Sequence, residues 1–186
     1  MTGIFITDET LFDSIRGNRA PVENPNSAAE ENDSTEAKPT LDALDMRILR
    51  LLNADARKSF RDIAKEVDAS ISTVSNRIRK LEQGGVISGY VPILNESTLG
   101  YDVLAVVGVK IHKGKLLEVQ RRIAKDERVT HVYDVTGEWD SILVVRLKAT
   151  RELDAFIKRL GSMEYVENTY TQVVLNVVKE ERRVLV

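Results

Sequence analysis

Apolar residues recur at helical spacing from Leu41 onward. Leu41, Leu44, Ile48, Leu51 and Leu52 share one side of a helix that Thr40 or Asp42 can cap. A second, shorter helix starts at Ser59, with Asp62 three residues on in a capping-box-like arrangement, and would bury Ile63, Ala64 and Val67. The turn after it is Asp68-Ala69-Ser70. A third helix runs from Ser70 or Ser72 to Gln83, where Gly84-Gly85 ends it because glycine reaches left-handed conformations cheaply. The following V-I-S-G-Y-V-P-I-L alternates enough for a short hairpin or an extended arm.

From Tyr101 the period shortens. Val103–Ile111 reads as a strand, and Leu116, Val119, Gln120 and Ile123 mark a helix. Val129–Val135 and Ser141–Leu147 are strands. Thr150 can cap a helix with the stripe Leu153, Phe156, Ile157 and Leu160, and Val173–Val178 is the last strong strand. The order β-α-β-β-α-β is the ferredoxin-like split unit, with two helices on one face of an antiparallel sheet. The fold class is α+β, an N-terminal winged helix-turn-helix followed by a ferredoxin-like domain.

A sheet covered on one face should alternate apolar and polar residues. Here Val103–Val107, Ile142–Val145 and Val173–Leu175 place apolar side chains on both faces. The helices can hide only one. The other would be a larger bare apolar patch than monomers usually carry, and a second copy packed sheet on sheet removes it. A covering segment of the same chain is the alternative.

The third helix has the most pointed chemistry. Val74, Ile78 and Leu81 cluster toward the core, while Ser72, Thr73, Asn76, Arg79 and Lys80 lie opposite. Asn and Arg pair with adenine and guanine edges in the major groove, whereas Lys and hydroxyls suit phosphates. Arg77 falls near the boundary, within reach of a phosphate or of a partner side chain. With Ser70 at the turn, the DNA-contacting set is Ser70, Ser72, Thr73, Asn76, Arg77, Arg79 and Lys80. A merely solvated polar face is the competing explanation, as it is for Arg57, Lys58, Arg61 and Lys65. Two such helices on a dimer would meet two half-sites of a palindromic operator.

Charge sharpens the segmentation. Residues 1–40 carry eight acidic and three basic residues, against seven and nine in residues 41–95 and fourteen and fifteen in residues 96–186. The acidic, Pro-containing stretch 21–40 is expected to be a disordered tether, and residues 4–16 an unstructured extension or a short docking helix. The expected domains are the extension 1–40, the helix-turn-helix 41–90, a linker 91–100 and the ferredoxin-like domain 101–186. With no cysteine, thiolate metal sites and disulfides are excluded. No run of 18 apolar residues or signal peptide stands out, so no membrane association and a cytoplasmic location are expected. His112 and His131 are lone histidines without metal-ligand spacing, so neither a metal nor a cofactor is expected.

Thr136-Gly137-Glu138-Trp139-Asp140 joins two strands. Gly137 permits a tight turn and close approach of a ligand, Asp140 can pair with an α-amino group, and backbone N–H groups can hold a carboxylate. A plain β-turn with a packed Trp is the alternative.

In several stretches the chain resembles the Lrp/AsnC, or leucine-responsive, family of transcription regulators. They are L-D-A-L-D-M-R-I-L-R-L-L at 41–52, A-R-K-S at 56–59, S-T-V-S-N-R-I-R-K-L-E at 72–82, G-V-I-S-G-Y at 85–90 and V-Y-D-V-T-G-E-W-D at 132–140. The resemblance covers residues 41–186. It implies a helix-turn-helix joined to a ferredoxin-like effector domain, the RAM domain, in a protein that regulates transcription as a dimer or octamer under control of an amino acid or related metabolite. It also implies that the Gly-x-x-Asp turn takes part in effector binding at contacts between dimers. By position, Gln172, Val173 and Val174 match residues affecting the response. Two departures are Asp68, where the family usually has Gly, and the acidic extension. Asp tolerates the left-handed region better than most residues. The extension would compete electrostatically for the basic DNA-facing surface. Rival readings are a tetrapyrrole decarboxylase on the same scaffold, which would need histidines and cations around a large pocket, and an architectural DNA-binding protein with weak base preference.

Overall fold

The computed structural model describes residues 40–184 and 186. The expectations for the tether and for residues 4–16 concern residues 1–39 and lie outside the described residues. The chain divides into two compact units, one reaching as far as Val91 and including Arg183–Val186, the other spanning Pro92–Arg182.

The first unit is a three-helix cluster: α1 (Ala43–Ala54), α2 (Phe60–Val67) and α3 (Ile71–Gln83). Of the two candidate caps, Asp42 starts α1. Its Oδ1 accepts the Asp45 N–H at 2.9 Å, and its own N–H donates to Asp45 Oδ2 at 3.1 Å, so each acid satisfies an otherwise orphaned donor. Ser59 caps α2, its Oγ accepting the Asp62 N–H at 3.2 Å and donating to Asp62 Oδ2 at 2.6 Å. Asp68 closes α2 in the left-handed region at φ 55°, as the turn requires. Ser70 caps α3 by accepting the Thr73 N–H at 3.0 Å. Ile48, Leu52, Ile63, Ala64, Val67, Val74, Ile78 and Leu81 form the shared core. Residues 86–94 form no strand, so the hairpin does not form. Val86 and Ile87 pack back on the helices, and the Tyr90 hydroxyl donates to Glu82 at 3.1 Å. Partial burial, with Glu82 adding to it, pushes the Tyr90 phenol up to about 12.

The second unit contains β1 (Val103–Ile111), α4 (Leu116–Ile123), β2 (Val129–Asp134), β3 (Ser141–Leu147), α5 (Thr150–Gly161) and β4 (Val166–Val173). The sheet order is β2-β3-β1-β4, each neighbour antiparallel, which is the ferredoxin-like arrangement. Ala105, Val107, Val109, Ile111, Leu143, Val145 and Leu147 point to the helices and bury with Val119, Ile123, Leu153, Phe156 and Leu160. Leu104, Val106, Ile142 and Val144 alternate with them and are only half-buried.

Two expectations change. Thr150 is the first helical residue of α5, and Ala149 occupies the cap without a side-chain bond. The last strand is Val166–Val173, not Val173–Val178. An edge strand with one open face is mostly polar (V-E-N-T-Y-T-Q-V), which hides it from an apolar criterion. The apolar run that suggested a strand follows it. Val174 N–H still reaches Leu104 O at 2.8 Å, but Leu175 is 97% and Val178 92% exposed.

Candidate nucleic-acid interface and ligand turn

On α3 the helical period sorts the side chains. Val74, Ile78 and Leu81 are buried, whereas Ser72, Asn76, Arg79 and Lys80 are exposed and Thr73 is half-buried. Asn76, Arg79 and Lys80 make no side-chain hydrogen bond or ion pair among the described residues, leaving their donors to water or to a ligand. The hydroxyls are organised differently. Ser70 Oγ sits 2.8 Å from both Ser72 Oγ and Thr73 Oγ1, so the start of α3 is a hydroxyl cluster built on its cap.

Arg77 finds a partner inside the protein. Its Nη1 donates to Asp42 Oδ2 at 2.6 Å and to both carboxylate oxygens of Asp45 at 3.3 Å. The Asp45 carboxylate is almost buried, at 8% exposure, and all of it faces this guanidinium or the Asp42 N–H. The hydrogen bond that the guanidinium donates to Asp42 is the main reason its pKa is pushed above its ordinary range. Arg77 thus ties the middle of α3 to the cap of α1. Of the other basic residues, Lys58 pairs with Glu66, and Arg57, Arg61 and Lys65 are exposed.

The turn between β2 and β3 is bolted to β1. Asp140 N–H donates to Val109 O at 3.1 Å, and Asp140 Oδ2 accepts the Ile111 N–H at 2.8 Å. The carboxylate expected to hold an α-amino group therefore already serves as a backbone acceptor, which is the leading cause of its pKa falling below the ordinary value. Lys110 Nζ donates to the other oxygen at 3.2 Å and to Glu138 O at 3.0 Å. Gly137 takes φ +119°, closed to most side chains, and Thr136, Gly137 and Glu138 are exposed. Trp139 lies over Gly108 of β1 and stacks on Tyr170 of β4, with ring centroids 5.9 Å apart at 15°.

Gln172 and Val173 pair with Val106 and Ala105, whereas the Asp140 end of the turn attaches at Val109–Ile111. Trp139 lies between the two groups, over Gly108 and against Tyr170, two residues along the strands from Val106 and Gln172. His112 lies beside the Lys113 carbonyl, and His131 stacks on Tyr133 at 5.5 Å, each exposed.

Sequence reading missed Lys110, Gly108 and the Asp42–Asp45–Arg77 link. A glycine inside V-L-A-V-V-G-V-K-I was the one visible signal, because it marks a close approach. No described helix is long and apolar enough to cross a membrane.

Comparison with known proteins accounts for both units. Residues 41–88 match the winged helix-turn-helix DNA-binding model, and residues 104–184 match the Lrp/AsnC ligand binding domain. An uncharacterised HTH-type transcriptional regulator of Pyrococcus horikoshii is 46% identical over 143 residues, covering 77% of this chain and 97% of its own. The HTH-type transcriptional regulator FL11 of Pyrococcus abyssi is 38% identical, covering 76% of this chain and 93% of its own. Among solved structures, E. coli AsnC superposes with a TM-score of 0.73 at 25% identity, over 77% of this chain and 97% of that one. A Neisseria meningitidis transcriptional regulator, solved as an L-Met complex, shares the fold with a TM-score of 0.72 at 24% identity, over 78% and 97%. With a DNA-binding helix-turn-helix followed by a ferredoxin-like ligand-binding domain, this chain belongs to the Lrp/AsnC family of transcription regulators.

Proposed function

We propose that α3 reads the operator through Asn76 and Arg79, that Ser72, Thr73 and Lys80 hold the phosphate backbone, and that Ser70 sets the entry of the helix. The observation carrying this is the division of α3. Its inward residues are buried, and its outward Asn76, Arg79 and Lys80 have no side-chain partner among the described residues. Such groups would otherwise serve only solubility, whereas bidentate Asn–adenine and Arg–guanine pairs each discriminate by about 1–3 kcal/mol.

The working form is a two-fold dimer on a palindromic site, supported by the half-exposed Leu104, Val106, Ile142 and Val144 on the sheet face away from the helices. An amino acid or related small molecule acting at residues 136–140 would shift the equilibrium between assemblies that present α3 differently. Gln172 lies two residues along β4 from Tyr170, on which Trp139 stacks, so it borders such a site through that ring pair. The protein acts by binding rather than catalysis, in the cytoplasm.

Fluorescence anisotropy with DNA from the protein's own promoter tests the reading. Asn76→Ala and Arg79→Ala should narrow the gap between operator and scrambled DNA by about 1–3 kcal/mol per lost contact. Lys80→Ala should weaken both DNAs alike and lower the salt slope by about one. Equal loss on both DNAs from all three variants would show that the reading face is misassigned.

A further inference from the structure

An α-ammonium group is held in proteins by acceptors arranged around it, usually a carboxylate and one or two carbonyls. The turn offers such a cradle in Asp140 Oδ1 and Glu138 O, with Asp140 Oδ2 turned to the Ile111 N–H. The cradle is filled. Lys110 Nζ lies 3.0 Å from Glu138 O and 3.2 Å from Asp140 Oδ1, and thus makes the two bonds an incoming ammonium would need. Lys110 is on β1 immediately before Ile111, so the strand that anchors the carboxylate also delivers the cation.

We propose that Lys110 fills the ammonium subsite of this turn from within the chain, and that the turn therefore favours carboxylate effectors lacking an α-amino group, the 2-oxo counterparts of amino acids, over the amino acids themselves. The inference rests on residues 136–140 being the effector site. Lys110 already takes one acceptor position on Asp140 Oδ1 and one on Glu138 O, so an α-ammonium group must either crowd against a like charge there or displace Lys110, and both cost affinity. A 2-oxo acid need not, and its own carboxylate gains a neighbouring cation. Lys110 is 40% and Asp140 31% exposed, so water screens the pair and displacement is costly but feasible. Asp140 is ionised at neutral pH as any ordinary Asp carboxyl is, and the Ile111 N–H, followed by Lys110, lowers its pKa further. The subsite therefore keeps its charge whichever cation occupies it.

Calorimetric titration of the full-length protein tests this with four probes: L-leucine, L-methionine and the 2-oxo counterpart of each. Wild type should bind each 2-oxo acid more tightly than its amino acid. Lys110→Met should tighten the amino acids by about two- to fivefold, the range expected from removing an exposed ion pair. It should leave the 2-oxo acids unchanged or weaker. Lys110→Arg retains a cation and should keep the wild-type order, which separates occupancy of the subsite from any general effect on the strand. If wild type prefers the amino acids and Lys110→Met binds them no better, the inference is overturned while the turn survives as an effector site. If no probe binds any of the three proteins, with each shown folded by circular dichroism, the effector reading of the turn falls and takes this inference with it.

Discussion

Gly108 should resist replacement for want of space rather than for its backbone conformation. A Cβ built there would stand 2.8 Å from Cδ2, 2.9 Å from Cγ and 3.1 Å from Cε2 of Trp139. The contact falls on the root of the indole rather than its tip, so a small rotation does not relieve it. Gly108→Ala must therefore lift Trp139 by several tenths of an ångström and disturb its stack on Tyr170. Overpacking of this kind costs about 1–3 kcal/mol. Replacing glycine in extended backbone returns about 0.4–1 kcal/mol by restricting the unfolded chain. The net loss should be about 1–2 kcal/mol, a fall in Tm of roughly 5–10 °C for a unit of this size. Trp139 is the sole tryptophan, so its emission reports on the second unit alone. Thermal melts followed at that emission should shift downward, with a red-shifted native spectrum. The companion test places Gly108→Ala in a Trp139→Ala background and follows the melt by circular dichroism, where the substitution should become neutral or stabilising. If it costs as much without the indole as with it, the steric reasoning is wrong.

Two further outcomes follow from the helix-turn-helix. Asp68 holds φ 55° without being glycine, so Asp68→Gly should stabilise the unit by about 0.5–1 kcal/mol in urea unfolding, and a loss of stability would show that the Asp side chain contributes more than its strain. The folded-state pKa of Asp42 is depressed, chiefly by the Asp45 N–H and then by Arg77, so its contribution is full above the unfolded value and is lost as pH falls through the folded one. The affected window lies below about pH 4. Asp42→Asn keeps the cap but loses the charge, so its denaturation midpoint should fall less steeply than wild type across that window, and parallel curves would remove Asp42 from the account.

Elements with strong periodicity were legible in the sequence, because burial on one face leaves a record in residue type. The strands Val103–Ile111 and Ser141–Leu147, and the helix Leu116–Ile123, have the boundaries the sequence suggested. β4 was misplaced for a physical reason. Edge strands shed apolar residues, and the apolar tail after it gains no strand partner beyond Val174. The polar face of α3 was visible from spacing alone. The partners of its charges were not, because Asp42 and Asp45 lie more than thirty residues from Arg77 and pairing at that range leaves no local pattern. Likewise Asp140 stood out beside Gly137, but only the register between the turn and β1 reveals that Lys110 and the Ile111 N–H already occupy it.

The link from Arg77 to Asp42 and Asp45 also bears on how such a protein can change over time. The seating of α3 is secured by a core and an ion pair that involve none of the side chains proposed to read bases. Asn76 and Arg79 can therefore vary with little penalty to folding, and a duplicated copy can acquire a new set of target genes by a few substitutions on one surface. Drift at Arg77 or Asp45 carries the opposite risk, since it would blur every operator at once.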